Sequence, residues 1–352
     1  MAVGAEISHR FFERAVRPIV EDVMSGRGYL AGRLGSGSDA LGFDDAMSTD
    51  HDFGCRLTVL VDDQHLSLLA DLDEALSDRL PDEVDGWPVR FPTSWDGRTT
   101  HRVDLHTCYD FATTRLGFDL RSRLGVSQWL CLTGQSVLEV TAGPVFHDTT
   151  DAFGVIRRTL TWYPDNIWYY GLAAGWTRLG QELPFVGRTG QIGDEAGSRM
   201  IASRLCRDIA HLTFLVNRAW APYPKWTGTA LGRLPRGRET AERLNSIQAA
   251  SNWSERHRRL ANTIENLADQ HRLAGLDLPA QVLAPFFDRP FLGIEDQVSQ
   301  SLRKQIDDPT VRNLPLIGSI EQWSDNVDLL SLPERRALAT TVYASTGTPS
   351  YS

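Results

Sequence analysis

Lysine is almost missing from this chain: Lys225 and Lys304 are the only two among 352 residues, and every other basic residue is arginine. The skew mostly reflects codon usage. It still gives each lysine interest, because an ammonium and a guanidinium are not interchangeable. Cysteine is equally sparse. Cys55, Cys108, Cys131 and Cys206 are scattered without CxxC spacing, which excludes a zinc ribbon or a dithiol redox motif and suits reduced, buried thiols in a cytoplasmic protein. Positive charge is in deficit, with a net charge of −9, so general nucleic-acid binding is not expected. No apolar run is long enough for a membrane helix, which takes about 18 residues or more. The opening "MAVGAEISHRFFERAV" lacks the apolar core of a secretory leader, so none is expected. The glycine-rich "GRTGQIGDEAGSR" lacks GK[ST] and is not a Walker loop. No internal repeat is visible.

What is present is ordinary in amount, with 41% apolar residues, and the length suits two domains. Residues 9–25 carry Phe12, Val16, Ile19, Val20 and Val23 at helical spacing. Tyr29 to Leu34 reads as a short strand ending at Gly35. Asp50 to Val61 reads as a second strand, with Leu57, Val59 and Val61 on one face. Leu66, Leu69, Leu72, Leu76 and Leu80 predict a helix over 65–80, and "WPVRFP" and "HRVDLHTCYDF" predict further strands. The first half is therefore mixed α/β. From about Thr161 helical periodicity dominates, as in Ile201, Leu205, Ile209, Leu212 and Val216 and again over 239–272 and 333–344. The expected boundary lies near residue 155, with domains at 1–155 and 156–352.

The stretch "LGSGSDALGFDDAMSTDHDFG" concentrates chemistry. In Gly35-Ser36-Gly37-Ser38, bare α-carbons let backbone N–H groups approach an anion, and the hydroxyls add donors. Asp50 and Asp52, two apart in an expected strand, point the same way. Two adjacent carboxylates suit a divalent cation, and Mg²⁺ takes oxygen ligands shared between carboxylates and phosphates. A pair of such ions would need a third acid from a neighbouring strand. Asp104, between Val103 and Leu105, offers one, on the expectation that an aspartate buried in an apolar strand is paired or metal-bound. The bland alternative for Asp50 and Asp52 is a pair of solvated turn aspartates.

Leu34-Gly35-Ser36, a 13-residue spacer, Asp50-x-Asp52 and an isolated strand aspartate together resemble the signature of the DNA polymerase β-type nucleotidyltransferase superfamily. The resemblance covers roughly residues 29–110. One departure is His51, where that superfamily usually has an apolar residue. The resemblance implies a nucleotidyltransferase-type mixed sheet with helices, an all-helical second domain and an active site in the cleft between them. It assigns two Mg²⁺ ions to Asp50, Asp52 and Asp104, and the triphosphate to Gly35, Ser36 and Ser38. The expected reaction moves an NMP group from an NTP, taken as ATP, to a hydroxyl or amine of a small-molecule acceptor, with release of pyrophosphate. The alternatives are nucleotidylation of a protein or tRNA, as in toxin-like relatives, and a nucleotide sensor without turnover. The stretch above, with "VFHD", "FVGRTGQIGDEAGSR" and "APYPKW", is also similar to the bacterial nucleotidyltransferase-like branch labelled domain of unknown function 4037, over about residues 29–230.

Other candidates lie in the second half. Relatives often supply a catalytic base from the helical domain, which singles out Asp194 or Glu195, with Glu182 behind them. The bland alternative is acids in the first turn of a helix starting near Ser198, complementing its dipole. Arg188 is a candidate phosphate ligand or an ordinary ion-pair partner. Lys225, in "PYPKW", is a candidate point charge for the triphosphate, as in related helical domains. Trp162, Tyr163, Trp168, Tyr169, Tyr170 and Trp176 are read as helix core rather than a base pocket. His101, His106 and His147 lack metal-site spacing. Asp39, Asp44 and Asp45 are read as solvated loop charges or caps.

Overall fold

A computed structural model describes residues 3–44, 54–93 and 96–344, with nothing said of the Val3 side chain. Asp45, Asp50, His51 and Asp52 lie outside the described residues. Two compact units emerge: residues 1–124 with 135–161, and residues 125–134 with 162–352.

The first unit opens with α1 (Val3–Phe11), a π-helical turn over Phe12–Val16, and α2 (Arg17–Met24). Ser25 and Gly26 end this run at positive φ. There follow β1 (Tyr29–Gly32), the four-residue α3 (Ser38–Leu41), β2 (Arg56–Val61) and α4 (Leu68–Arg79). The hairpin of β3 (Glu83–Val84) and β4 (Trp87–Pro88) turns at Asp85-Gly86, both at positive φ as a tight hairpin turn requires. Next come β5 (Arg90–Thr93), β6 (Asp96–Thr107) and α5 (Cys108–Leu116). The expected strand through "HTCYDF" stops at Thr107. The Thr107 hydroxyl accepts the Asp110 N–H at 3.2 Å, and that cap starts a helix.

After α6 (Val126–Cys131), which belongs to the second unit, come α7 (Gly134–Thr141), β7 (Val145–Asp148) and α8 (Ala152–Thr159). The sheet order is β5-β6-β2-β1-β7, with β2 and β6 parallel and the other pairs antiparallel. It is a mixed sheet. One face carries Tyr29, Ala31, Leu57, Val59, Val61 and Val103, packed with Phe12, Val16, Val20, Leu72 and Leu76 from the helices into one core. Alternation sends Arg56, Thr58, Leu60, Arg102, Asp104 and His106 to the opposite face.

The second unit is helical. It holds α9 (Asp165–Gln191), α10 (Glu195–Val216), α11 (Pro224–Leu231), α12 (Gly237–Gln248) and α13 (Trp253–Leu273), then short helices to residue 339. A small hairpin, β8 (Leu283–Pro285) with β9 (Leu292–Ile294), interrupts them. The aromatic run is core. Trp168 Nε1 donates to the Leu215 carbonyl at 2.7 Å, Tyr170 Oη to the Pro315 carbonyl at 2.6 Å, and Trp176 Nε1 to His271 Nε2 at 3.3 Å. Among the described residues no helix is long and apolar enough to cross a membrane.

Candidate active site

The glycine turn leaves the end of β1 and is built around one buried cation. Arg33 is 2% exposed. Its Nε and Nη2 grip both oxygens of Asp39 at 2.7 and 2.8 Å; Nη1 donates to the Leu34 carbonyl at 2.6 Å and Nη2 to the Ser36 carbonyl at 2.8 Å. Arg56 Nη2 adds a longer bond to the Ser36 carbonyl at 3.4 Å. A trans peptide aims its C=O and the next N–H in opposite directions. With the Ser36 carbonyl drawn toward Arg33, the Gly37 N–H faces away from it.

Gly35 and Gly37 sit at φ +84° and +129°, where side chains are strained. At Gly37 a Cβ would also collide with the Asp39 carboxylate and the Arg33 guanidinium. Burial pushes the Asp39 carboxyl up. The Arg33 charge and hydrogen bonds, with Arg56 beyond, more than offset this and hold it below the usual range. Asp39 is therefore no solvated loop charge, because folding the turn requires an anion for Arg33. Asp44 accepts the Gly4 N–H at 2.9 Å.

Asp104 stands in register with Thr58, and Thr58 with Gly32, so one row of residues crosses three strands from β6 toward the turn. The Thr58 hydroxyl continues that row to the Leu34 carbonyl at 3.4 Å. Asp104 is exposed, not buried. Val103 and Leu105 face the core, so strand alternation turns Asp104 to the open side. The expected cost of burying it does not arise, so burial gives no argument for a metal at Asp104. Ser36 and Ser38 are partly exposed in the same turn. His106, two residues along the same face, is lowered by burial, raised by Asp104 and lowered by Arg115, with a net downward shift.

Arg115 on α5 is a residue that sequence reasoning missed. A Cβ built on Gly35 would lie 3.3 Å from its Nη2. Its Cζ sits 5.3 Å from the Phe111 ring centroid, and its Nε is 4.0 Å from the Glu139 carboxylate. The backbone of Glu139 also accepts the Gly35 N–H at 2.9 Å. No spacing signal links residues 35 and 115. The registers of β1 with β2 and of β2 with β6, and the helix that follows, bring them together.

The second-unit candidates have local partners. In "FVGRTGQIGDEAGSR", Gly187 and Gly190 lie within α9, where a Cβ would strike Phe291 and Trp253 respectively. Gly193, at φ +82°, ends the connection. Those glycines serve packing and a turn. The next helix starts at Glu195, not Ser198, and Asp194 caps it by accepting the Gly197 N–H at 2.7 Å. Glu195 accepts from the Trp253 N–H at 3.0 Å and from the buried Arg256 at 3.1 Å. Burial raises its carboxyl and these partners bring it below the usual range. Glu182 pairs with Arg204 at 2.9 Å. Arg188 is exposed in the last turn of α9. Lys225 is exposed in the first turn of α11, its Nζ 5.0 Å from the Trp226 ring centroid. His101 pairs with Asp73 at 3.2 Å, and His147 stacks on Tyr29 at 4.3 Å. Among the described residues no group of three or more His, Cys, Asp or Glu is placed to hold a metal ion.

No curated protein matches the chain. A solved structure of a nucleotidyltransferase-like protein from Exiguobacterium sibiricum 255-15 is similar at 16% identity, covering 75% of this chain and 77% of that one, with a TM-score of 0.36. In keeping with the similarity of its second-half motifs, the chain matches over residues 129–227 the model of a family described as a domain of unknown function (DUF4037).

Proposed function

We propose that this protein is a metal-dependent nucleotidyltransferase that moves an NMP group from an NTP, ATP in the first instance, to a hydroxyl or amine of a small molecule. The observation that carries the reading is the row Gly32–Thr58–Asp104, with an exposed carboxylate at one end and the Gly35-Ser36 turn beyond the other. Three carboxylate side chains, Asp104 with Asp50 and Asp52 upstream of β2, are the hard-oxygen donors that Mg²⁺ prefers. Asp104, exposed and facing the open side, fits such a role; its two proposed partners lie outside the described residues. Bound Mg²⁺ would neutralise charge on the phosphates and the attacking oxygen.

The chain's own groups do the rest. The Gly37 N–H and the hydroxyls of Ser36 and Ser38 are donors for phosphate oxygens. Arg33 and Arg56 hold the turn in shape before the ligand arrives, and such preorganised donors stabilise charge without reorganising. Positioning and electrostatics supply most of the rate in phosphoryl transfer. With a net charge of −9, a neutral or cationic small acceptor suits the chain better than RNA.

The test incubates purified protein with Mg²⁺, candidate acceptors and each NTP labelled on its α-phosphate. Product on a small molecule supports the proposal. Label on protein or tRNA moves the acceptor class, and Mg²⁺-dependent binding without product identifies a sensor. Asp104→Asn is expected to fold with an unchanged melting temperature and to lose at least about a hundredfold in turnover, as removal of transition-state charge stabilisation does. Wild-type turnover in that variant would sink the mechanism.

A further inference from the structure

We propose that Arg115 is the cation that grips the nucleotide's phosphate chain at the glycine turn; this rests on the nucleotidyltransferase reading and adds a binding residue to it. The turn is supported by one set of guanidinium groups and flanked by another. Arg33 and Arg56 take its carbonyls, Leu34 and Ser36, and so hold its shape. Arg115 arrives from a different element, α5, and its Nη2 comes nearest to the bare α-carbon of Gly35. Gly35 needs its glycine twice over. Its φ of +84° disfavours a side chain, and a Cβ at 3.3 Å from Nη2 would crowd the guanidinium.

Two neighbours flank that charge. The guanidinium rests 5.3 Å from the Phe111 ring centroid on its own helix. Glu139 pairs with it at 4.0 Å from Nε, and the Glu139 carbonyl accepts the Gly35 N–H at 2.9 Å. One residue of α7 thus orients both the turn and the arginine. A planar guanidinium suits two phosphate oxygens at once, which an ammonium cannot match. The ligand class is therefore a polyphosphate chain that passes the Gly35 turn beside Arg115.

Calorimetric titration of the full chain with MgATP, and separately with adenosine, tests this. Arg115→Gln is expected to weaken MgATP binding at least roughly tenfold, the scale of a charged hydrogen bond, while adenosine affinity and the melting temperature stay unchanged. Arg115→Lys is expected to fall between the two, keeping the charge and losing the fork. It also keeps the test decisive if the glutamine variant folds poorly. Unchanged MgATP affinity in a folded variant overturns the role of Arg115 and leaves the nucleotidyltransferase reading standing. Equal loss of MgATP and adenosine binding overturns it too, since that signals a structural role. Wild-type protein that binds no MgATP sinks the parent reading and this inference with it.

Discussion

At the scale of single residues, Arg33 and Asp39 illustrate how a site's shape is set by groups that need not touch a ligand. An arginine 2% exposed survives burial only with an anion and enough acceptors, and here Asp39 and two carbonyls supply them. Asp39→Ala removes the anion and leaves the buried cation unpaired. It is expected to destabilise the fold by about 3–5 kcal/mol, read from urea or thermal unfolding. Asp44→Ala, which loses a bond to the Gly4 N–H, is expected to cost about 1 kcal/mol. The ion pair also has a pH signature. Asp39 is held below its ordinary value in the folded state, so its contribution is complete above the unfolded pKa of about 4. It is lost as acid takes the pH down through the folded value. An Asp39→Ala variant should therefore lose less stability than wild type on acidification below that point. If both fall equally, the pair does not hold the turn.

At the scale of elements, Asp194 tests whether a cap is only a cap. Its carboxylate accepts the Gly197 N–H and starts α10. Asp194→Ala is expected to cost about 1 kcal/mol, and Asp194→Asn close to nothing, because asparagine caps as well as aspartate. Activity separates the roles. A base must titrate, so a stable Asp194→Asn that still transfers nucleotide at the wild-type rate excludes Asp194 as the base and leaves the cap as its whole function. Other elements show what the sequence could carry. The period-two pattern of Leu57, Val59 and Val61, the leucines of α4 and the aromatic run of α9 were readable because each follows one element's geometry. Thr107 as a cap was not readable because it continues the alternation of Val103 and Leu105, so the strand was expected to continue into what is α5. Asp104 was expected to be buried because its neighbours in sequence are apolar. Alternation puts those neighbours on one face and the aspartate on the other. The β8–β9 hairpin is three residues a side, too short for periodicity to register. Arg115 and Gly35 come together only through sheet register, which no local pattern reports.

At the scale of the whole molecule, buried histidines of the second unit decide how it meets acid. His257 and His271 are 6% and 0% exposed, and burial pushes both down to about 4. Each ring is tied as a neutral acceptor: His257 Nε2 takes the Leu292 N–H at 2.9 Å, and His271 Nε2 takes the Trp176 indole N–H at 3.3 Å. An unfolded chain would protonate both near pH 6.5, whereas the folded one resists until about 4. Between those values the unfolded state binds more protons, so stability falls as pH falls. The full effect is on the order of 3 kcal/mol for each ring. Glu321 opposes them. Burial raises it to about 7, so its share of stability grows as pH falls through that value toward its ordinary range. Two histidines against one glutamate leave a net loss on acidification, and His211, also lowered to about 4 by burial, adds to it. The melting temperature is therefore expected to drop by several degrees between pH 7 and pH 5, well before most carboxylates protonate. His257→Gln, whose side-chain oxygen reaches the place of Nε2 and can still accept the Leu292 N–H, should flatten that slope at some cost at neutral pH. A melting temperature that holds steady from pH 7 to pH 5 would mean that the folded rings titrate near the ordinary histidine value, and would overturn burial as the source of the slope.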